Sequence, residues 1–163
     1  MTAPGSAEEC RFEVADVRTP EATTLLALLT AELARRYDDD GAGDFKIEDT
    51  LQPRSVFLLG RLGERAVACG ALRPLELVVA EIKRMYVEPA VRGRGIGKRL
   101  LAELETQALR LGYAVTRLET GIEQPEAIRV YESAGYHRIE NYGFYREDPR
   151  TVCFEKDLRH PSS

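Results

Sequence analysis

A basic, glycine-rich segment lies near the middle of this 163-residue chain. It reads R-G-R-G-I-G-K-R from Arg92 to Arg99, after an apolar stretch and before an amphipathic one. Glycine lets a backbone approach an anion without a Cβ in the way, and the first amides of a following helix add positive partial charge. The cationic side chains of the segment also favour an anion, although the net charge of the chain is −4. We therefore predict a pyrophosphate site here.

The glycine spacing argues against two common phosphate loops. A P-loop needs a glycine where Arg92 stands and a serine or threonine where Arg99 stands. A dinucleotide fingerprint needs G-x-G-x-x-G, whereas Gly93, Gly95 and Gly97 give G-x-G-x-G. The pattern that remains is R-x-x-G-x-G.

This pattern, with a second motif downstream, resembles the GNAT superfamily of acyl-CoA-dependent N-acyltransferases. Members carry R/Q-x-x-G-x-G/A between their fourth strand and third helix and hold the pyrophosphate of coenzyme A with it. A second family motif, roughly N-x-x-A-x-x-x-Y-x-x-x-G-F, is matched over residues 124–136, with Gln124 in place of asparagine and Tyr136 in place of phenylalanine. The resemblance covers residues 55–158 and implies acetyl-CoA as co-substrate, without a metal.

The resemblance also implies which residues contact the coenzyme. Gln124 would meet the pantetheine arm. A backbone N–H at a bulge in the fourth strand, at Met85, Tyr86 or Val87, would face the thioester carbonyl. The pyrophosphate would lie on Arg92, Gly93, Arg94, Gly95, Ile96, Gly97 and Lys98.

Acylation of an amine requires a proton acceptor and a proton donor. An alkyl ammonium with a pKa near 10 is only about one part in a thousand free base at pH 7, so a nearby carboxylate assists. Glu81, in the apolar strand before the glycine segment, is the expected base; the alternative is a surface ion pair with Lys83 or Arg84. Tyr131 matches the family's tyrosine and is the expected donor to the departing thiolate.

The acceptor is expected to be the primary amine of a small molecule. An acidic region, Asp38–Asp40 with Asp44, Glu48 and Asp49, suits a cationic amine, although such loops are often only solvated. Basic side chains could instead bind the carboxylate of an amino-acid-like acceptor, and two tyrosines could form an aromatic wall. These candidates are Arg73, Lys83, Tyr142 and Tyr145. A protein amine as acceptor, and a non-catalytic acyl-CoA-binding module, remain alternatives.

Composition limits which other classes of protein and partner are compatible with this chain. With 44% hydrophobic and 31% charged residues, one globular domain over residues 1–163 is expected, with flexible tails at 1–9 and 159–163. The chain has no apolar run long enough for a membrane span and no signal-peptide core, which predicts a cytoplasmic protein without a membrane partner. The negative net charge disfavours nucleic acid. Three scattered cysteines indicate neither a disulfide framework nor a metal site, and a homodimer is left open.

The elements that must position these residues follow from apolar periodicity and turn residues. Their order is β-α-β-β-β-α-β-α-β-β, which predicts an α/β fold with a mixed sheet and helices packed on it. The resemblance implies a mostly antiparallel sheet of about seven strands, with helices on both faces and a splay between strands 4 and 5. Strands are expected at 11–17, 55–60, 65–72, 77–87, 115–120, 137–141 and 151–158, and helices at 20–37, 96–110 and 125–134.

Overall fold

The computed structural model describes residues 9–37 and 45–159. These residues form a seven-stranded sheet with strand order β1-β2-β3-β4-β5-β7-β6. The strands are β1 Cys10–Val14, β2 Val56–Leu62, β3 Arg65–Glu76, β4 Val79–Val87, β5 Val115–Gly121, β6 His137–Ile139 and β7 Thr151–Asp157. The helices are α1 Pro20–Tyr37, α2 Ile96–Arg110 and α3 Pro125–Ser133.

The predicted order of elements and the mixed sheet are confirmed. Strands β4 and β5 pair in parallel, because α2 carries the chain back between them, and the other neighbouring strands pair antiparallel. The largest difference concerns β3, which continues to Glu76 rather than ending at residue 72. It continues because Arg73 and Pro74 still pair with Glu81 and Ala80 of β4.

Helices cover both faces of the sheet, as expected. Alternate side chains of β2 show this directly: Val56 and Leu58 join the core that contains α2, whereas Phe57 and Leu59 join the core that contains α1. The buried stripe of α2 consists of Ile96, Leu100, Leu101, Leu104 and Ala108. That stripe fixes the start of α2, and so the glycine segment before it, against the sheet.

Strand β4 carries the bulge that the resemblance implied. The β3–β4 register passes from the pair Ala71–Lys83 to the pair Cys69–Tyr86, so one residue of β3 lies opposite two residues of β4, Arg84 and Met85. Arg84 has φ 57°, in the left-handed region that non-glycine residues rarely adopt. Such an insertion interrupts the hydrogen-bond ladder and bends the strand.

Strands β4 and β5 pair only over their first residues. Their last pair is Ile82–Leu118, although β4 runs on to Val87 and β5 to Gly121. The bulge begins two residues after Ile82, so β4 bends where the pairing ends. This divergence, called the fork below, is the predicted splay between strands 4 and 5.

Some expectations lie wholly or largely outside the described residues. The acidic stretch Asp38–Asp40 with Asp44 is one, and the tails at 1–9 and 159–163 are another. The extent of a single domain over the whole chain stays a prediction. Among the helices that the structure describes, none combines the length and apolarity that crossing a membrane requires.

We expect Leu104→Ala to lower the free energy of unfolding by about 2–5 kcal/mol, because it leaves a cavity beneath α2. Leu104 is fully buried, whereas Leu109 on the same helix is 49% exposed. Leu109→Ala should therefore change the free energy of unfolding by about 0.5 kcal/mol or less. Urea denaturation measures both, and equal losses would contradict the assignment of the buried face.

Candidate active site

A cleft of about 160 Å³ lies at the fork. Its walls come from α1, from the diverging ends of β4 and β5, from α3 and from the segment between β6 and β7. The polar and candidate residues among its walls include Lys83, Met85, Glu119, Gln124, Tyr131 and Tyr145. The cleft therefore gathers residues from distant parts of the sequence.

The bulge brings Met85 to the cleft. Tyr86, the next residue, is buried in the core beneath α1. The carbonyl of Val87 accepts a hydrogen bond from Arg92 Nε at 2.8 Å. Of the three expected backbone donors, Met85 is thus the one in the cleft wall, within the interrupted stretch of the ladder.

The glycine segment forms a tight turn that ends in the N-terminus of α2. Gly93 has φ 80° and Gly95 has φ 81°, conformations that favour glycine. The Arg99 N–H makes a helical hydrogen bond to Gly95 O at 3.1 Å. The amides of Ile96 and Gly97 precede it in the first turn, where N–H groups lack intrahelical partners. A row of such amides suits an anion.

The side chain of Arg92 is turned toward the body of the protein. Besides the Val87 carbonyl, its guanidinium binds Glu32 of α1, with Nη2 2.8 Å from Oε1. Arg92 therefore ties the turn to β4 and α1. Arg94 and Lys98 are also exposed cations of the segment.

Tyr131 lies on α3 with its ring in the core and in the cleft wall. It packs against the rings of Tyr136 and Phe154, with centroids 6.2 and 6.0 Å away. It is 8% exposed, and burial raises the pKa of its hydroxyl to about 12. Tyr131 is therefore a protonated phenol at neutral pH.

Gln124 precedes α3 at its N-terminus and lines the cleft. Its side chain shares a hydrogen bond with the Tyr37 hydroxyl, which also accepts the Glu123 N–H at 3.1 Å. Tyr37 packs over Gly121 so closely that a Cβ on Gly121 would lie 1.9 Å from the hydroxyl oxygen. The sequence analysis did not identify Tyr37 and Gly121 as site residues. Gly121 could have been noticed, because it is a glycine at the end of an apolar strand.

Glu81 is held in a buried polar network. Its Oε1 accepts hydrogen bonds from Arg73 Nε at 2.9 Å and Nη2 at 2.7 Å, and its Oε2 accepts the Tyr142 hydroxyl at 2.8 Å. Arg73 also binds Asp49, with Nη1 2.6 Å from Oδ2. Burial and the charge of Glu81 raise the pKa of Tyr142. Glu81 thus forms its ion pair with Arg73, rather than with Lys83 or Arg84 as the alternative of a surface ion pair had it.

Lys83 and Glu119 form a buried ion pair across the fork. They are the first residues beyond the last β4–β5 pair, Ile82–Leu118. Lys83 Nζ lies 2.7 Å from Glu119 Oε1, and both side chains are 8% exposed. Both line the cleft. Sequence reasoning did not select Glu119, although a glutamate inside an apolar strand was a usable signal.

Tyr145 lines the cleft from the segment between β6 and β7. Its ring packs edge-on against Phe144, with centroids 4.8 Å apart. Tyr142, in the same segment, is directed to Glu81 instead. The two tyrosines therefore occupy different surroundings rather than one wall.

The cysteines are packing residues. Cys10, Cys69 and Cys153 are buried and free, and burial raises the pKa of the Cys69 thiol to about 12. Within residues 9–37 and 45–159, no group of three or more histidine, cysteine or acidic side chains could hold a metal ion.

Comparison with known proteins gives a consistent result. The sequence model of the acetyltransferase (GNAT) family matches residues 22–136. An IAA acetyltransferase of Azospirillum brasilense is 35% identical over 113 residues, which are 69% of this chain and 74% of that protein.

Solved structures share the fold. A protein of Klebsiella pneumoniae classed as an acyl-CoA N-acyltransferase superposes with a TM-score of 0.77 at 31% identity, over 91% of this chain and 97% of its own. A GNAT family acetyltransferase of Elizabethkingia anophelis, solved with acetyl-CoA bound, superposes with a TM-score of 0.70 at 17% identity, over 92% and 99%.

Proposed function

This chain belongs to the GNAT family of acetyltransferases, and from that premise we propose that it moves an acetyl group from acetyl-CoA to the primary amine of a small molecule. One observation carries the proposal: Met85 of the bulge, the Tyr131 phenol and the Glu119 carboxylate all line the cleft at the fork. Acyl transfer to an amine needs a donor to the carbonyl oxygen, a proton donor and a proton acceptor.

The glycine segment fits the pyrophosphate of coenzyme A. The first amides of α2 and the exposed Arg94 and Lys98 supply donors and charge, and a Cβ on Gly97 would meet only Val87, at 3.8 Å. Gln124 in the cleft wall suits an amide of the pantetheine arm. When bound, acetyl-CoA supplies an electrophilic thioester carbonyl and a thiolate leaving group.

Residues of the chain then have distinct roles. The Met85 N–H donates to the carbonyl oxygen, and the Tyr131 hydroxyl gives its proton to the departing sulfur. Glu81 is the base expected from the sequence; because both its oxygens are bonded, it would act through the Tyr142 hydroxyl beside it. Lys83 and Tyr145 line the cleft and contact the acceptor, while Arg73 acts through Glu81.

A small acceptor is supported by the dimensions and lining of the cleft. Apolar α1 residues Leu29 and Leu33 and charged Lys83 and Glu119 line the same space of about 160 Å³. This arrangement accommodates a short chain with a polar end. An extended peptide would need a longer groove, so a protein amine is the second candidate.

The function is tested by a thermal shift with acetyl-CoA followed by a thiol-release assay. Binding to the folded state should raise Tm, and small amines or amino acids should be acetylated in preference to a lysine peptide. The absence of a shift would contradict the proposal. A shift without turnover would favour a non-catalytic acyl-CoA-binding module, and turnover on the peptide alone would favour a protein acceptor.

Gly97→Ala is expected to stabilise the fold while weakening coenzyme binding. Alanine is the better helix former, so the free energy of unfolding should rise by up to about 1 kcal/mol. The new methyl group would stand beside the amide row, and the Kd for acetyl-CoA should increase by about tenfold. Calorimetry measures the affinity. Thr106→Ala, exposed in the middle of α2, is the matched control and should leave Kd unchanged; an unchanged Kd for Gly97→Ala would refute the pyrophosphate placement.

Tyr131→Phe should lower kcat by tenfold or more with little change in acetyl-CoA affinity, because it removes one proton donor and no bulk. A donor must be protonated to act, and a pKa of about 12 keeps Tyr131 protonated until the pH nears that value. The loss should therefore stay constant from about pH 7 to pH 10. A kcat equal to wild type would remove Tyr131 from the mechanism.

A further inference from the structure

We infer that Glu119, paired with Lys83, accepts the proton that the acceptor's ammonium group must lose before its nitrogen can attack. This inference rests on the proposed function and assigns its base. Glu119 replaces Glu81 in that role, and Glu81 becomes a positioning residue for Arg73 and Tyr142.

The position of Glu119 follows from the fork. The residue stands one step beyond Leu118, the last β5 residue that pairs with β4. A side chain at this step borders the opening between the strands, and Glu119 lines the cleft together with Met85 and Tyr131. The proton acceptor, the carbonyl donor and the proton donor then share one cleft.

Lys83 holds the Glu119 carboxylate in position. Its Nζ lies 2.7 Å from Oε1, and burial of both side chains strengthens the attraction. A lysine ammonium is a compact charge on a flexible stem, so its position can adjust when Glu119 accepts a proton. An incoming ammonium group is drawn to the same carboxylate.

Glu81 is less suited to this task. Three hydrogen bonds, two from the Arg73 guanidinium and one from the Tyr142 hydroxyl, already occupy its two oxygens. A carboxylate offers about four acceptor sites, and an arginine remains charged at any relevant pH. Two N–H groups of Arg73 thus bind one oxygen of Glu81, and Glu81 is not among the residues that line the cleft.

The step balances without a further reactant. Glu119 takes one proton from the ammonium group, and the nitrogen–carbon bond forms as the carbon–sulfur bond breaks. The nitrogen then loses its second proton to solvent water, and Tyr131 gives one proton to the thiolate. Solvent then removes the proton from Glu119 and returns one to Tyr131. The net release is one proton for each amide formed from an ammonium ion.

Several other charged or titratable groups surround Glu119. Its charge contributes to raising the pKa of Tyr142 and of Cys153, and Cys153 is its partner in the β5–β7 ladder. The other charged side chains of the cleft wall are Lys83, Arg84, Asp148 and Arg150, and the charge of Glu81 also raises the pKa of Cys153. Because these groups surround Glu119, the test compares each variant with wild type at the same pH. The pH is changed in order to vary the ionisation of the acceptor amine.

The test compares Glu119→Gln, Glu81→Gln and wild type on the best amine of the thiol-release panel, at about pH 7.5 and about pH 10. Glu119→Gln should lose about a hundredfold in kcat/KM at pH 7.5. The deficit should shrink below about tenfold at pH 10, where much of the amine is already free base. Acetyl-CoA affinity, measured by calorimetry, should stay within about twofold of wild type, because the coenzyme amides are elsewhere.

Two further variants complete the design. Glu155→Gln is the matched control, since Glu155 on β7 pairs with Arg117 and lies outside the cleft wall; it should leave kcat/KM unchanged. If Glu119→Gln fails to fold, the double variant Lys83→Met with Glu119→Leu replaces both charges by apolar groups and should fold. It should still bind acetyl-CoA and show the same loss at pH 7.5.

The outcomes separate the two claims. Full activity of Glu119→Gln or of the double variant would overturn the inference and leave the proposed function intact, as would a pH-dependent loss found only in Glu81→Gln. A deficit in Glu119→Gln that is equal at both pH values would also overturn it, because a merely structural role predicts that result. A wild-type protein that acetylates no amine would overturn the proposed function first.

Discussion

The end of β4–β5 pairing after Ile82–Leu118 is the constraint on which the rest of the site depends. Two strands that stop pairing inside a sheet leave backbone groups without ladder partners, which is costly unless other groups or a ligand satisfy them. Here a bulge at Arg84 and Met85 bends β4, and Arg84 accepts a left-handed backbone to do so. The interrupted backbone is thereby placed in the wall of a cleft.

Buried charges hold the fork in this shape. The Lys83–Glu119 pair spans the opening where the strands separate, and the Arg73–Glu81 pair braces β4 against β3 just before it. Removal of one partner from a buried pair is strongly destabilising, even though the intact pair contributes little net stability. The Lys83–Glu119 pair links β4 and β5 across the opening at a fixed distance. The same charges determine what can be done in the cleft.

The sequence predicted the local features well. The glycine segment between β4 and α2 and the amphipathic pattern of α2 depend on neighbouring residues, so spacing and periodicity were sufficient. Contacts between distant residues were harder to predict. The partner of Glu81 depends on the β3–β4 register, which sets Arg73 opposite it, and the bulge cannot be read from residue types. The position of Glu119 depends on the fork, and the position of Tyr37 depends on its packing over Gly121. Neither can be predicted from a local sequence pattern.

The central claim is that the bulge and the first turn of α2 together frame the acyl donor. An amide NMR titration with acetyl-CoA tests it most directly, because it reports on individual backbone N–H groups. The largest shifts should fall on Ile96, Gly97 and Lys98, with a further shift at Met85, while the β1 edge of the sheet should be unaffected. Shifts concentrated elsewhere, with these four amides unchanged, would contradict it.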